Sequence, residues 1–164
     1  MQRHVREADF SEFYLARGPA LRRTAYLIVR DWHHAEDLTQ QSFVRIYAAW
    51  PRIRRESLDA YARKTVVNAC LTHLRRRRPE TPTDPLPDSA VTTLETPLDI
   101  GQALALLPDR QRAIVALRFL DDLPVAEVAE ALGIAEGTVK SQTSRALDTL
   151  RTHLPELVFS EESR

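Results

Sequence analysis

Near the C-terminal end of the chain, apolar and polar residues alternate with the spacing of two short helices around a tight turn. Apolar residues recur three and four positions apart over residues 125–132, which is the pattern of one helical face. Gly133 follows at once, and glycine readily adopts the left-handed conformation at a helix end. A second helix is predicted over residues 136–150, with these positions turned inward: Val139, Ala146, Leu147 and Leu150. Its outer face carries hydrogen-bonding and cationic side chains: Thr138, Lys140, Ser141, Gln142, Ser144 and Arg145.

A short helix, a glycine turn and a helix with a polar outer face form the layout of a helix-turn-helix. The alternative is an ordinary amphipathic hairpin, since glycine turns between helices are common. The GTVKS string favours DNA binding, because Gly137 lets a backbone approach closely while Thr138 and Ser141 donate to phosphates or bases. Lys140 and Arg145 would supply cationic contacts.

Longer amphipathic stretches fill the first half of the chain. Their periodicity predicts helices over residues 8–30, 33–50 and 57–78. Gly18-Pro19 predicts a kink or a break in the first helix, because proline removes a backbone donor. Ser57 is a suitable N-cap for the third helix, and Pro51 and Pro79 end the second and the third. Further helices are predicted over residues 98–107 and 109–122.

The composition changes abruptly between these two helical regions. Residues 79–97 contain five prolines and four acidic residues but few apolar ones, which predicts a flexible, fairly extended linker. The sequence therefore predicts an all-α fold of two small helical domains, at residues 1–78 and 98–164. The C-terminal domain is the one that contains the helix-turn-helix.

The charge is zero overall but unevenly distributed. Residues 1–78 carry 16 Lys and Arg against 8 Asp and Glu, a net charge of +8, while both later segments are acidic. The third helix ends in four arginines at 75–78, more than its dipole would require. Because concentrated charges repel one another, a polyanionic partner explains this run better than the alternative, a solvated basic helix end.

Several other classes of protein fit the sequence poorly. The single cysteine, Cys70, excludes an internal disulfide framework and lies among apolar neighbours, so we expect it in the core. There is no apolar run of membrane-spanning length and no apolar segment like that of a signal peptide, so a cytoplasmic protein is expected. The residues that could form a metal hydrolase site are His33, His34, Glu36 and Asp37. On a helix, however, the side chains of adjacent residues such as His33 and His34 point in different directions. We therefore predict no catalytic activity, no metal and no cofactor.

The motifs of both halves resemble the extracytoplasmic-function sigma factors of bacterial RNA polymerase. In the first half the resemblance rests on AEDLTQQSFVRIYAAW at 35–50 and YARKTVVNACLTHLRRRR at 61–78. In the second it rests on residues 107–151, which include the helix-turn-helix. The order of the motifs across a short linker makes the match specific. The sequence AYARKTVVN is most similar to that of the actinobacterial branch of the family.

The resemblance implies a sigma factor that binds core polymerase and helps to recognise and melt a two-part promoter. It implies docking on the polymerase clamp coiled coil through Glu36, Asp37, Leu38, Gln40, Gln41 and Phe43, with the polymerase flap as a further contact. It implies single-strand capture of the minus-ten element through Tyr61, Lys64, Asn68, Arg75 and Arg76. The outer face of the last helix would read the minus-thirty-five element as duplex, and an anti-sigma factor is left open as another partner.

Three positions depart from the usual pattern of the family. Thr72 stands where many members carry Asp, and Gln142 stands where Arg is usual after GTVKS. Ala135 replaces a frequent capping serine, at a cost of about 1 kcal/mol to the helix. The rival interpretation among binding proteins is a free-standing helix-turn-helix regulator that binds duplex DNA alone.

Overall fold

The structure is a computed structural model that describes residues 1–77 and 100–154, with the side chain of Ile100 excepted. In the first range it contains α1 (Gln2–Val29), α2 (Trp32–Ala49) and α3 (Leu58–Arg77). Two 3₁₀ turns, Trp50–Arg52 and Arg55–Ser57, connect α2 to α3. The second range contains α4 (Ile100–Ala105), α5 (Asp109–Val115), α6 (Val125–Leu132) and α7 (Glu136–His153). No strand occurs within these two ranges, which confirms the all-α prediction.

The first half is a bundle in which α1, α2 and α3 pack on one another around fully buried aliphatic residues. Ile28, Ile46 and Val66 represent the three helices in this core. An aromatic cluster closes the other end of α1, where the Phe10 ring lies edge-on to Trp50 with centroids 5.3 Å apart. Cys70 of α3 is fully buried in the core as expected, and burial raises the pKa of its thiol to about 12.

Of the kink or break predicted at Gly18-Pro19, the break is wrong, because α1 continues through both residues. Gly18 is buried where a Cβ would lie 3.9 Å from Tyr14 and 4.0 Å from Phe43, so a small residue suits this crossing with α2. Tertiary packing of α1 thus maintains the helix despite the missing donor of Pro19. The helix ends at Arg30, which is left-handed (φ 60°), and the Asp31 carboxylate then caps α2.

The second half has its own small core between α4, α5 and α7. Leu104, Leu147 and Leu150 are its largest fully buried side chains. The helix predicted over 109–122 is correct in outline, but regular α-helix ends at Val115 and a π-helical turn, Ala116–Leu120, follows. Gly133 ends α6 in the left-handed conformation (φ 64°), as the sequence predicted.

The two halves contact each other through α1 and α3 on one side and α5 and α6 on the other. Arg112 is buried and donates from Nε to the carbonyl oxygen of Ile28, 2.6 Å away in the other half. The Thr24 hydroxyl donates to the Asp121 carboxylate at 2.8 Å. Neither bond is visible in the sequence, since the partners are 84 and 97 positions apart.

Candidate nucleic-acid interface

The polar face of α3 carries exposed cations, most of them at its C-terminal end. The predicted contact residues Tyr61, Lys64, Asn68, Arg75 and Arg76 are all exposed along it. The opposite face is buried in the bundle: Ala62, Val66, Val67 and Cys70. The core therefore fixes the direction of the basic face, as the helical periodicity predicted.

The C-terminal end of α3 concentrates positive charge. Arg75, Arg76 and Arg77 occupy its last turn and are exposed, while the predicted fourth arginine, Arg78, lies outside the described residues. The pKa of nearby His73 lies below its usual value, because the ring is partly desolvated and because His34 and Arg77 disfavour a further positive charge. The rings of His34 and His73 are 4.7 Å apart. This end of the helix is suited to a polyanion.

The outer face of α7 is organised differently. Lys140, Ser141, Ser144 and Arg145 are exposed as predicted, on a helix whose inner face is buried through Val139, Thr143, Ala146, Leu147 and Leu150. Thr138 and Gln142 are only partly exposed. These six side chains form one surface, but Thr138 and Gln142 are less exposed to solvent than the sequence indicated.

Gln142 is held by a residue that sequence reasoning missed. Gln111 Nε2 on α5 donates to Gln142 Oε1 at 3.0 Å, which fixes one side of the amide and leaves its NH₂ group for other partners. At the start of the helix, Ala135 is the N-cap and provides no side-chain hydrogen bond, as expected for alanine. No atom lies within 4 Å of a Cβ built at Gly137, so the backbone there is open to close approach.

The α2 surface matches the sequence prediction only in part. Glu36, Asp37, Gln40 and Gln41 are exposed and adjacent. Leu38 and Phe43, which were predicted for the same docking surface, are buried, with side chains only 8% and 3% exposed. Both lie on the inward face of α2, and the Phe43 ring packs against the ring of Tyr14 on α1 at 4.8 Å. Leu38 and Phe43 therefore support the surface from below.

Apolar side chains of α1 extend the same surface. Tyr14 and Leu15 are exposed beside Gln40, and Val44 is exposed one turn further along α2. An apolar groove of ≈ 460 Å³ runs between Tyr14, Val44 and their neighbours. The sequence indicates that these residues are apolar, but only the pairing of α1 with α2 brings them beside the polar group.

The histidines at the start of α2 do not form one centre. His33 lies 3.8 Å from Asp37, whereas His34 lies 3.3 Å from Asp31. Within residues 1–77 and 100–154, no group of three or more His, Cys, Asp or Glu side chains is placed to hold a metal ion. No helix in these ranges is long and apolar enough to cross a membrane.

Family models match both halves of the chain. The model described as Sigma-70 region 2 matches residues 13–80, and the model described as Sigma-70, region 4 matches residues 98–150. The first match contains α2 and α3, and the second contains the whole helix-turn-helix.

Individual relatives agree with these family models. The RNA polymerase sigma-E factor of Streptomyces avermitilis is 38% identical over 157 residues, covering 92% of this chain and 88% of that protein. The ECF RNA polymerase sigma factor SigW of Bacillus subtilis is 29% identical and covers 80% of this chain and 81% of its own length. The sigma factor RpoE of Bartonella quintana, solved with the anti-sigma factor NepR, superposes with a TM-score of 0.71 at 25% identity, covering 90% of this chain and 98% of that chain. The chain belongs to the extracytoplasmic-function sigma factors, which direct promoter-specific transcription initiation by RNA polymerase.

Proposed function

We propose that this sigma factor uses separate surfaces to bind polymerase and the two promoter elements. The exposed acids and amides of α2 dock on the clamp coiled coil of core polymerase, and the second half contacts the flap. The polar face of α3 melts and captures the minus-ten strand, and the outer face of α7 reads the minus-thirty-five duplex. The domain limits proposed for these roles are residues 1–78 and 98–164, with 79–97 as the linker.

The observation that carries this proposal is the composition of the exposed face of α3. Lys64 and the arginines at its C-terminal end are exposed and make no ion pair among the described residues, so they are available to phosphates. Tyr61 offers an exposed ring on which a base could stack, and Asn68 offers an amide for a base edge. Cations combined with an aromatic ring suit single-stranded DNA.

Binding to both promoter elements at once requires the two packed halves to separate. The minus-ten and minus-thirty-five elements are about 25 base pairs apart, or ~85 Å at 3.4 Å per pair. A packed body of this length is only about 40 Å across, from a radius of gyration of ~15 Å. The 19 positions of 79–97 could bridge at most ~65 Å. The packed arrangement is therefore the form that precedes promoter binding.

The likeness to Bartonella RpoE supports an anti-sigma factor as a further partner. That protein was solved in complex with an anti-sigma factor, and the structural match spans both halves of the present chain. We place the protein in the cytoplasm, where RNA polymerase acts, and assign it no catalytic activity of its own.

Run-off transcription with core polymerase on a genomic promoter library tests the proposal. The complete chain should initiate at selected promoters, while the free protein should bind duplex DNA poorly. Asp37→Arg should greatly reduce holoenzyme assembly, because it reverses the charge of an exposed docking residue, without changing the melting temperature. Glu130→Arg, an equal change at an exposed position on α6, is the control. Tight sequence-specific duplex binding by the free protein would instead favour an independent regulator.

A further inference from the structure

One helix of the second half lies directly against the helix proposed to capture DNA. Val66 of α3 belongs to the same buried apolar cluster as Val125 and Val128 of α6. The contact therefore has an apolar centre, and α6 covers the flank of α3 next to its basic face. Any cation on that flank is removed from solvent as long as the halves remain packed.

Arg63 is such a cation. It is adjacent to Lys64 on α3, yet its side chain is only 15% exposed. Its Nη1 atom lies 3.7 Å from Oε2 of Glu127 on α6, and Glu127 remains half exposed. A carboxylate of the second half thus occupies a guanidinium that belongs to the proposed DNA-binding helix. Carboxylate and phosphate oxygens are alternative acceptors for the same arginine fork.

The surroundings of Arg63 are suited to separation. A cavity of ≈ 240 Å³ remains between the halves, and polar residues of both line it, among them Arg17, Asp59 and Asp121. Burial raises the pKa of Asp121 despite the hydrogen bond from Thr24 and the nearby arginines. Charges that are partly desolvated but incompletely paired make a contact weak. Solvation of these polar groups therefore offsets part of the cost of separating the halves, which also exposes the apolar centre of the contact.

We propose that Arg63 is a further phosphate contact for the captured single strand, and that Glu127 takes the place of that phosphate while the halves are packed. The proposal rests on the proposed function only in that α3 binds the strand. When α6 leaves α3, Arg63 joins Lys64 and extends the basic face toward the start of the helix. In the packed form, DNA must compete with Glu127 for the guanidinium.

The test measures binding of the free, full-length protein to a fluorescein-labelled single-stranded DNA 20-mer of random sequence over a range of salt concentrations. Glu127→Ala should raise affinity about two- to fivefold, the range in which a partly exposed ion pair acts. Glu130→Ala removes an exposed acid from the same helix and should change affinity much less. Arg63→Ala should lower affinity and reduce the log–log salt slope by about 0.7.

The double variant Arg63→Ala with Glu127→Ala separates competition from general charge effects. Its affinity should equal that of Arg63→Ala alone, because without Arg63 there is no guanidinium for which Glu127 and the phosphate compete. Arg63→Lys should keep the salt slope, and circular dichroism should show that each variant is folded. Equal gains from Glu127→Ala and Glu130→Ala, or an unchanged slope in Arg63→Ala, would overturn the proposal. Run-off transcription by the wild-type protein tests the sigma function separately.

Discussion

The two helices proposed to contact DNA, α3 and α7, are similar in length but differ in how much positive charge they carry. α3 has 20 residues, ends in three described arginines and belongs to the half with a charge of +8. α7 has 18 residues and belongs to an acidic half, with Lys140 and Arg145 as the cations of its outer face. Non-specific affinity for DNA comes mainly from phosphate contacts, whereas selection comes from base contacts. This difference in charge is the basis for proposing that α3 holds DNA and that α7 selects it.

The helices also differ in how the rest of the protein covers them. α6 packs against α3 and holds Arg63, whereas the exposed residues of α7 point away from its contacts with α5 and α6. The helix proposed to hold the phosphates is therefore the one that is partly covered. A free sigma factor built in this way would bind DNA weakly until polymerase separates its halves.

The largest expected effect follows from removal of the cationic end of α3. The triple variant Arg75→Ala, Arg76→Ala, Arg77→Ala should lose most single-stranded DNA binding and most promoter melting with core polymerase. Loss of three phosphate contacts should reduce the salt slope by about 2, at ~0.7 per contact. Anisotropy titrations and permanganate footprinting measure these effects. Alanine at the exposed Arg3, Arg22 and Arg45 removes equal charge elsewhere, and an equal slope for this control would contradict the special role of α3.

A smaller effect is expected from the cations of α7. Lys140→Ala combined with Arg145→Ala should weaken binding of the upstream duplex element and lower its salt slope by about 1.8, at ~0.9 per contact. Binding of single-stranded minus-ten DNA should not change. Arg151→Ala is the control, since Arg151 lies in the last turn of α7 beside Asp148, at 3.6 Å. If the double variant lost single-strand binding instead, the proposed division between holding and selecting would be incorrect.

Local signals in the sequence were sufficient to predict α3 and the helix-turn-helix that contains α7. The period of apolar residues and Gly133 predicted α6, the turn and α7, because helix ends depend on a few neighbouring residues. The same period predicted the buried face of α3. In each case the information lay within about one or two helical turns.

Longer-range features could not be predicted, because they depend on which helices pack together. Phe43 was assigned to the docking surface, but pairing of α2 with α1 buries it. Gln142 was expected to face outward, but Gln111, 31 positions away, donates a hydrogen bond to its side chain. The bond from Arg112 to Ile28 and the pair of Arg63 with Glu127 require both halves to be folded and in contact.

Replacing the two glycines of the helix-turn-helix by alanine should change stability moderately and in opposite directions. Gly133→Ala should destabilise the protein by about 1–2 kcal/mol, because φ is 64° and a Cβ disfavours that region. Gly137→Ala should stabilise it by about 0.4–1 kcal/mol, because it lies in α7 with nothing within 4 Å of the new Cβ. Chemical denaturation measures both changes. If both variants were destabilised equally, the left-handed turn would not explain the requirement for glycine.

The smallest expected effect concerns Asp121 of the second half, which accepts a hydrogen bond from Thr24 of α1. Its pKa is raised above 3.8 chiefly by burial, so its protonated form is favoured in the packed state. A raised pKa stabilises the packed state below the unfolded value, and this contribution is lost as pH rises through the folded value. Asp121→Asn keeps an acceptor for the Thr24 hydroxyl without a buried charge. Its melting temperature should exceed that of the wild type at neutral pH, with the difference disappearing on acidification. Glu130→Gln, at an exposed position on α6, should show no such dependence on pH. A lower melting temperature for Asp121→Asn at neutral pH would mean that the attraction of Arg17, Arg23 and Arg63 for the carboxylate outweighs its desolvation.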